Sequence, residues 1–456
     1  MHFKKVFAGR QDFFIALIFL MLGFVVRWWY ILHLDISDPL RGDAGSYYIY
    51  AKNLIEHGVF SRDRTDFPVA DSYWAPGYPV FLAICFKLSI FLQVNFYPLT
   101  LFLQACMGGF IALFTYLTGR FFFLSAGASI ASLLTVFSPH LNSLGGNILS
   151  ETLFTLLLLS SIYVSLIASR ESPSPSWKVW SLAGILFGLT YLTNPVVLFV
   201  PFLILLLCIF KRRKVLGLRK LLKVYSPFLI FFLVFVAAWQ IRDMANVSSE
   251  RESISDRAFL NLVIGSHDDY HAIWRENILE RNYTARLLNP ADQDYELYKN
   301  DHAGFYRELL NRIWANPQHY LYWYFIQKPL DFFGWNILAG EGDIYQYPVN
   351  STIYHSSTFA LITFVVMKQL HLWLVGAAML GLYFALREQD SDRKQAVLFV
   401  YVSLFYVTAL YVLLHTDGRY SIPLRPEIYL CAVYSIGKIF ALAKKLNTKM
   451  KSPVLS

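Results

Sequence analysis

Long apolar runs, such as Phe13 to Tyr30 and Phe228 to Trp239, recur along the chain and limit its fold more than any other feature. With 56% apolar, 17% aromatic and only 16% charged residues, it has too little polar surface to hide these runs from water. The runs near 13 to 33, 98 to 119, 121 to 138, 148 to 169, 177 to 193, 195 to 210, 224 to 241, 369 to 386, 396 to 414 and 422 to 443 read as membrane-spanning helices. The expectation is an all-α polytopic membrane protein of about ten helices. The net charge of +9 carries no nucleic-acid role, because the basic residues gather in short clusters between apolar runs, as in cytoplasmic loops.

Lys4, Lys5 and Arg10 precede a first run of about a full bilayer span with no small-residue cleavage site, so it reads as a retained anchor. The four cysteines (Cys85, Cys106, Cys208, Cys431) stand singly in apolar stretches and indicate neither a disulfide framework nor a thiolate metal site. The run Tyr78 to Val94 carries Lys87 and follows Pro76 and Pro79. If it spanned, the densest basic cluster, Lys211-Arg212-Arg213-Lys214 with Arg219, Lys220 and Lys223, would face outward. It is therefore read as non-spanning, which puts both termini and the other clusters (Arg120, Arg170/Lys178, Arg387/Arg393/Lys394, Lys444/Lys445) in the cytoplasm. Residues 35–97, 139–147, 242–368 and 415–421 then lie on the far side. Trp28, Trp29 and Tyr30 would form an aromatic belt, with Arg27 snorkelling to headgroups.

Three regions follow: a membrane module 1–241 with its first outer loop 35–97, a large outer loop 242–368, and C-terminal helices 369–456. The large loop ends in an amphipathic stretch, Phe305 to Ile313, and an aromatic one, Tyr320 to Phe325, placed at the interface. No βαβ pattern, GxGxxG or P-loop is present, which argues against a nucleotide-binding domain.

The polar block behind the first helix is the main chemical signal. Arg41-Gly-Asp-Ala-Gly-Ser-Tyr-Tyr puts a carboxylate, Asp43, at the start of a helix whose Tyr47, Ala51, Leu54 and Ile55 share one face and which Gly58 ends. Asp43 can cap that helix, serve as a catalytic carboxylate, or do both. Glu151 opens the 148–169 helix, where it can complement the helix dipole or face a site. His267-Asp268-Asp269-Tyr270-His271 offers two histidines four apart on a helix face, but lacks the surrounding pattern of a zinc protease; no metal site is assigned. Asn246, Asn282 and Asn350 begin glycosylation sequons in far-side loops.

The acidic motif after the first helix, the Tyr-Tyr-x-x-Ala-x-Asn-Leu helix, Gly58-Val59-Phe60-Ser61, Ala75-Pro76-Gly77-Tyr78-Pro79, Leu149-Ser150-Glu151-Thr152, Gly184 to Pro195 and Gly418-Arg419-Tyr420 together resemble the GT-C membrane glycosyltransferases. The likeness is to the branch holding protein O-mannosyltransferases, lipid A aminoarabinose transferases and related lipopolysaccharide sugar transferases. It implies an inverting glycosyltransferase of the cytoplasmic membrane whose active site faces the periplasm or exterior. Its donor would be a polyprenyl-phosphate-linked sugar and its acceptor a glycan, lipid or protein, with no cofactor or metal. The resemblance makes Asp43 the base. A lipid-phosphate leaving group calls for cations, and Arg41, Arg419, Lys368 and His415 are the candidates; headgroup binding is their other reading. Glu151, Tyr47, Tyr420 and Asn194 would belong to the acceptor side or cavity. Asp43-Ala44 stands where several relatives have Asp-Glu, and Asn194-Pro195 where many have Arg or Lys. A lipid-linked sugar flippase or transporter, and a polymer ligase using diphosphate-linked oligosaccharide, are the alternatives; no internal repeat of the transporter kind is seen.

Overall fold

The computed structural model describes residues 10–170, 177–213, 217–248, 251–279 and 290–451. Lys4, Lys5, Lys214 and the Asn282 sequon lie outside them. Eight described helices are long and apolar enough to cross a bilayer: Gln11–Leu32, Phe96–Gly119, Glu151–Arg170, Pro195–Arg212, Arg219–Asn246, Thr358–Leu386, Ser391–Leu413 and Gly418–Asn447. Two further legs are shorter. Trp177–Thr193 has 17 residues, and the 121–138 run yields only the 12-residue helix Ser125–Val136 before Pro139 starts a separate buried helix, Pro139–Gly145. The chain is an all-α polytopic membrane protein, apart from a ribbon in which Asp35–Ile36 pairs antiparallel with Val349–Ser351.

The legs run between two poles. At the basic pole Arg120 pairs with Asp12 at 3.0 Å, Arg212 donates to the carbonyl of Ser169 at 2.8 Å, Arg170 to that of Phe121, and Lys438 pairs with Glu388 at 2.5 Å. The helix Gly77–Leu92 has both ends at the opposite pole: Gly77 lies against Thr193, where an added Cβ would stand 2.5 Å from Oγ1, and Leu92 ends just before Phe96. Its 16 residues span ~24 Å, less than the ~30 Å hydrocarbon core.

Three expectations change. Arg27 does not snorkel. It is 1% exposed and points inward, because Gly108 leaves open the place where a Cβ would meet Arg27 Cδ at 1.8 Å; Nη1 donates to the Gly108 carbonyl at 3.1 Å. Tyr30 is buried with it, leaving Trp28 and Trp29 partly exposed. The helix expected from 369 begins at Thr358, since Lys368-Gln369 interrupts the apolar pattern without breaking the helix. The large loop therefore ends near 357, and Lys368 sits within a helix.

Two cores result. The larger fills the bundle. The second, at the pole opposite the basic one, packs Tyr47, Tyr50, Trp74 and Tyr78 of the first loop against Leu141, Leu149, Ile337 and Ile422. Large aromatic rings supply much of this burial where the backbone is irregular. The large loop forms helices Ile254–Gly265, Tyr270–Leu279, Pro290–Asn300, His302–Ala315 and a broken run from Pro317 to Phe332. In the last two, Leu310, Trp314, Leu321 and Phe325 are exposed apolar residues, a pattern suited to a membrane interface.

Candidate active site

The helix Asp43–Glu56 starts after a tight turn. Gly42 has φ 60°, a conformation glycine adopts without strain, and is the N-cap; Asp43 is the first helical residue and makes no side-chain cap. The capping reading of Asp43 is thus replaced: its carboxylate is available to the cavity. The rest of the motif supports it from below. Asn53 Nδ2 donates to the carbonyls of Ser61 (2.9 Å) and Asp63 (2.8 Å), Tyr50 bonds Asp71, and Gly58 at φ 68° turns the chain back.

Glu151 is set by the turn before its helix. Tyr78 Oη donates to Gln104 Oε1 at 2.6 Å, and Gln104 Nε2 donates to the carbonyls of Gly145 (2.9 Å) and Asn147 (2.8 Å). Tyr47 Oη reaches Ser150 Oγ at 3.2 Å. Arg419 comes from the third side. Asp417 accepts from the amides of Arg419 (2.7 Å) and Ala339 (2.6 Å), so it shapes the turn and is not the salt-bridge partner of Arg419.

These elements converge on one cavity of about 110 Å³, lined by Asp43, Tyr47, Trp74, Glu151, Asn194, Arg257, Tyr411, Arg419 and Tyr420 among others. Arg419 joins the two acids: Nη1 lies 2.8 Å from Asp43 Oδ2, and Nε lies 2.5 Å from Glu151 Oε1. The Asp43 side chain is one-third exposed, whereas Arg419 and Glu151 are nearly closed off. Burial, then the Asp43 charge, pushes the phenol of Tyr47 up, so it enters any chemistry neutral and as a donor. Tyr411 and Tyr420 stack at 4.8 Å to form the opposite wall, and Asn194 Nδ2 donates to Tyr411 Oη at 3.0 Å while its Oδ1 caps the turn at Val196.

Six expected site residues (Asp43, Glu151, Arg419, Tyr47, Tyr420 and Asn194) therefore meet. Three do not line the cavity. Arg41 pairs with Glu341 at 3.5 Å and Lys368 with Asp343 at 3.6 Å, both half-exposed, holding one loop from two sides. His415 is buried against His271 and Tyr420; burial first, then His271, holds its imidazole well below the usual range, so it cannot serve as the cation. The histidine pair also parts. His267 precedes the helix Tyr270–Leu279 and meets Asp294 at 2.9 Å, while His271 Nε2 donates to the Thr416 carbonyl at 2.9 Å.

One cation was not visible in the sequence. Arg257, in the first turn of Ile254–Gly265, lies over the Trp74 ring at 3.5 Å and beside Tyr73 at 5.7 Å, on the cavity wall. It sits in a polar stretch where nothing in the local pattern separates it from solvent-facing neighbours; the signal available was the aromatic Tyr73-Trp74 pair, an apt seat for a guanidinium.

The profile of the dolichyl-phosphate-mannose-protein mannosyltransferase family matches residues 75–239. Among solved structures, the oligosaccharyltransferase of Archaeoglobus fulgidus, tethered with an acceptor peptide containing the NVT sequon, aligns over 96% of this chain and 50% of its own, with 15% identity and a TM-score of 0.52. The chain carries the GT-C fold. ArnT from Cupriavidus metallidurans, bound to undecaprenyl phosphate, aligns over 97% and 63% of the two chains with 11% identity and a TM-score of 0.47. The chain thus spans about half to two-thirds the length of these GT-C structures. No curated protein matches it. The matched family segment supplies Glu151 and Asn194 to the cavity, whereas Asp43, Arg257 and Arg419 come from outside it.

Proposed function

We propose that this protein is an inverting glycosyltransferase that moves one sugar from a polyprenyl-phosphate carrier to a hydroxyl-bearing glycan, lipid or protein on the outer face of the cytoplasmic membrane. The observation that carries the reading is a carboxylate, Asp43, at one cavity with two guanidiniums, Arg419 and Arg257. Asp43 takes the proton of the acceptor hydroxyl as that oxygen bonds the anomeric carbon from the face opposite the phosphate, which inverts the centre. Such general-base help is typically worth ~10²- to 10⁴-fold. The departing phosphate gathers negative charge, and the two guanidiniums offer planar donor sets for it. The matched family's name, with a sugar on a polyisoprenoid phosphate, supports a donor of this class. The orientation is supported by the basic residues at the pole opposite the cavity, which belong in the cytoplasm. A flippase would want its ionisable groups near the midplane, and this cavity opens at one pole.

The test is mass spectrometry of polyprenyl-linked sugars and surface glycans in a deletion strain, followed by transfer with the purified protein. A missing surface sugar together with accumulated polyprenyl-phosphate donor supports the reading. An unchanged surface with no accumulated donor refutes it.

A further inference from the structure

Lys328, in the large outer loop, has no exposed surface. Its Nζ donates to two backbone carbonyls, Gly265 at 2.9 Å and Leu414 at 2.6 Å, beneath the Tyr324 ring at 4.3 Å. Trp323 Nε1 donates to the same Gly265 oxygen at 3.2 Å. These carbonyls belong to the two segments that carry the cavity cations. Gly265 ends the helix that presents Arg257, and Leu414 follows the helix Ser391–Leu413 and leads into the turn that presents Arg419. The two backbones touch where they cross: a Cβ on Gly265 would stand 1.7 Å from the Leu414 oxygen, so a larger residue is excluded there.

A buried amine is an expensive way to fill space, and burial pushes the Lys328 ammonium down to about 7. An apolar side chain of similar length would avoid that cost. What it would not do is satisfy two carbonyl oxygens brought together from different segments. The turn has other supports, since His271 donates to the Thr416 carbonyl and Asp417 accepts from Ala339, so it does not depend on Lys328 alone. Lys328 bonds both segments at once, where the end of the Arg257 helix packs on Leu414, and its neighbour Trp323 adds a second donor to the Gly265 carbonyl.

We propose that Lys328 is a positioning residue for the donor phosphate, bolting the Arg257 helix to the Arg419 turn and so fixing the spacing of the two guanidiniums. This rests on the glycosyltransferase reading above, and specifically on phosphate contact by Arg257.

The test uses the full chain in nanodiscs with undecaprenyl phosphate as probe, comparing wild type, Lys328→Met, Arg257→Gln and the double variant. Loss of a charge-assisted contact predicts ~10- to 100-fold weaker binding for Arg257→Gln. Lys328→Met should weaken binding about 10-fold, and the double variant should be no weaker than Arg257→Gln, because a misplaced guanidinium has nothing left to lose. Trp323→Phe, which removes only one of the two donors to Gly265, should shift binding the same way by a few-fold and carries the same cycle if Lys328→Met does not fold. Wild-type binding by both Lys328→Met and Trp323→Phe, or losses that multiply in the double variant, overturns the positioning role. Wild-type binding by Arg257→Gln overturns the phosphate contact itself, a separate failure.

Discussion

Replacing Asp43 with Asn changes one property of the site more than any other. The amide keeps the shape of the carboxylate and leaves the helix start intact, because Gly42 is the N-cap and Asp43 makes no capping bond. Arg419 loses the charge partner at 2.8 Å, though an amide oxygen can still accept from it, and keeps Glu151 at 2.5 Å, so the guanidinium is not orphaned. With the Asp43 side chain one-third exposed, the lost pair belongs with partly screened ion pairs, and the thermal midpoint should fall by no more than a few degrees. The rate is different, because an amide cannot accept the acceptor's proton. Losing general-base help should lower turnover ~10²- to 10⁴-fold, about 3 to 5 kcal/mol in the barrier. Donor affinity should hold or rise, since a negative charge near the phosphate has gone. Transfer from a polyprenyl-phosphate sugar in nanodiscs, alongside undecaprenyl phosphate binding and a melting curve, separates these quantities. Turnover within threefold of wild type, with the melting curve unchanged, would refute the role of Asp43.

Four further outcomes follow from the same geometry. Arg419→Lys should lose ~10-fold or more in turnover, because an ammonium cannot bridge Asp43 and Glu151 while also gripping a phosphate, whereas Asp417→Asn should lose less; equal mild effects would move the phosphate contact to Arg257 alone. Glu151→Gln should bind undecaprenyl phosphate a few-fold more tightly yet turn over more slowly, since Arg419, without its buried anchor, swings onto the phosphate and out of its working position; weaker probe binding with normal turnover would contradict this. Transfer should persist in excess EDTA, because the place a divalent ion would take between Asp43 and Glu151 is filled by Arg419; loss on chelation restored by Mg²⁺ or Mn²⁺ would say otherwise. Cysteine labelling at 96 and 213 should report opposite sides of the membrane, as the helices Phe96–Gly119 and Pro195–Arg212 require; labelling from one side only would break the assigned topology.

How much of this was legible differs residue by residue. The spanning helices follow from apolar length, and the chain order of the motifs named Asp43, Glu151 and Arg419, which the fold brings to one cavity. What failed was any inference needing a tertiary partner. Arg27 read as a snorkelling residue because its own helix cannot reveal Gly108, which opens a groove on another helix. Lys368 read as a loop residue because one charge in an apolar stretch looks like an end, and the helix carries it through by letting the amine reach Asp343. Arg257 had no local mark, since its meaning comes from Trp74 in a distant loop. His415 carried the right chemistry for a cation but not the right surroundings, because burial beside a second imidazole removes the charge.

The charge inventory of the cavity gives the site its logic. Two carboxylates face two guanidiniums, and Arg419 is shared between both acids while the contacts described for Arg257 are ring faces. On the proposed mechanism the base is therefore held, before donor arrives, by the same guanidinium that the leaving phosphate needs. A phosphate entering between Arg257 and Arg419 would compete for that guanidinium and loosen its hold on Asp43, so the base would become free when there is a sugar to transfer. Glu151, nearly closed off and bonded to Nε of Arg419, would keep the guanidinium in place during the exchange. With one acid, Arg419 could swing wholly onto the phosphate and leave the wall; with two, it can trade one partner and keep the other. In that mechanism the second carboxylate acts as an anchor, in keeping with the buried member of the pair contacting Nε, the guanidinium nitrogen nearest the Arg419 backbone.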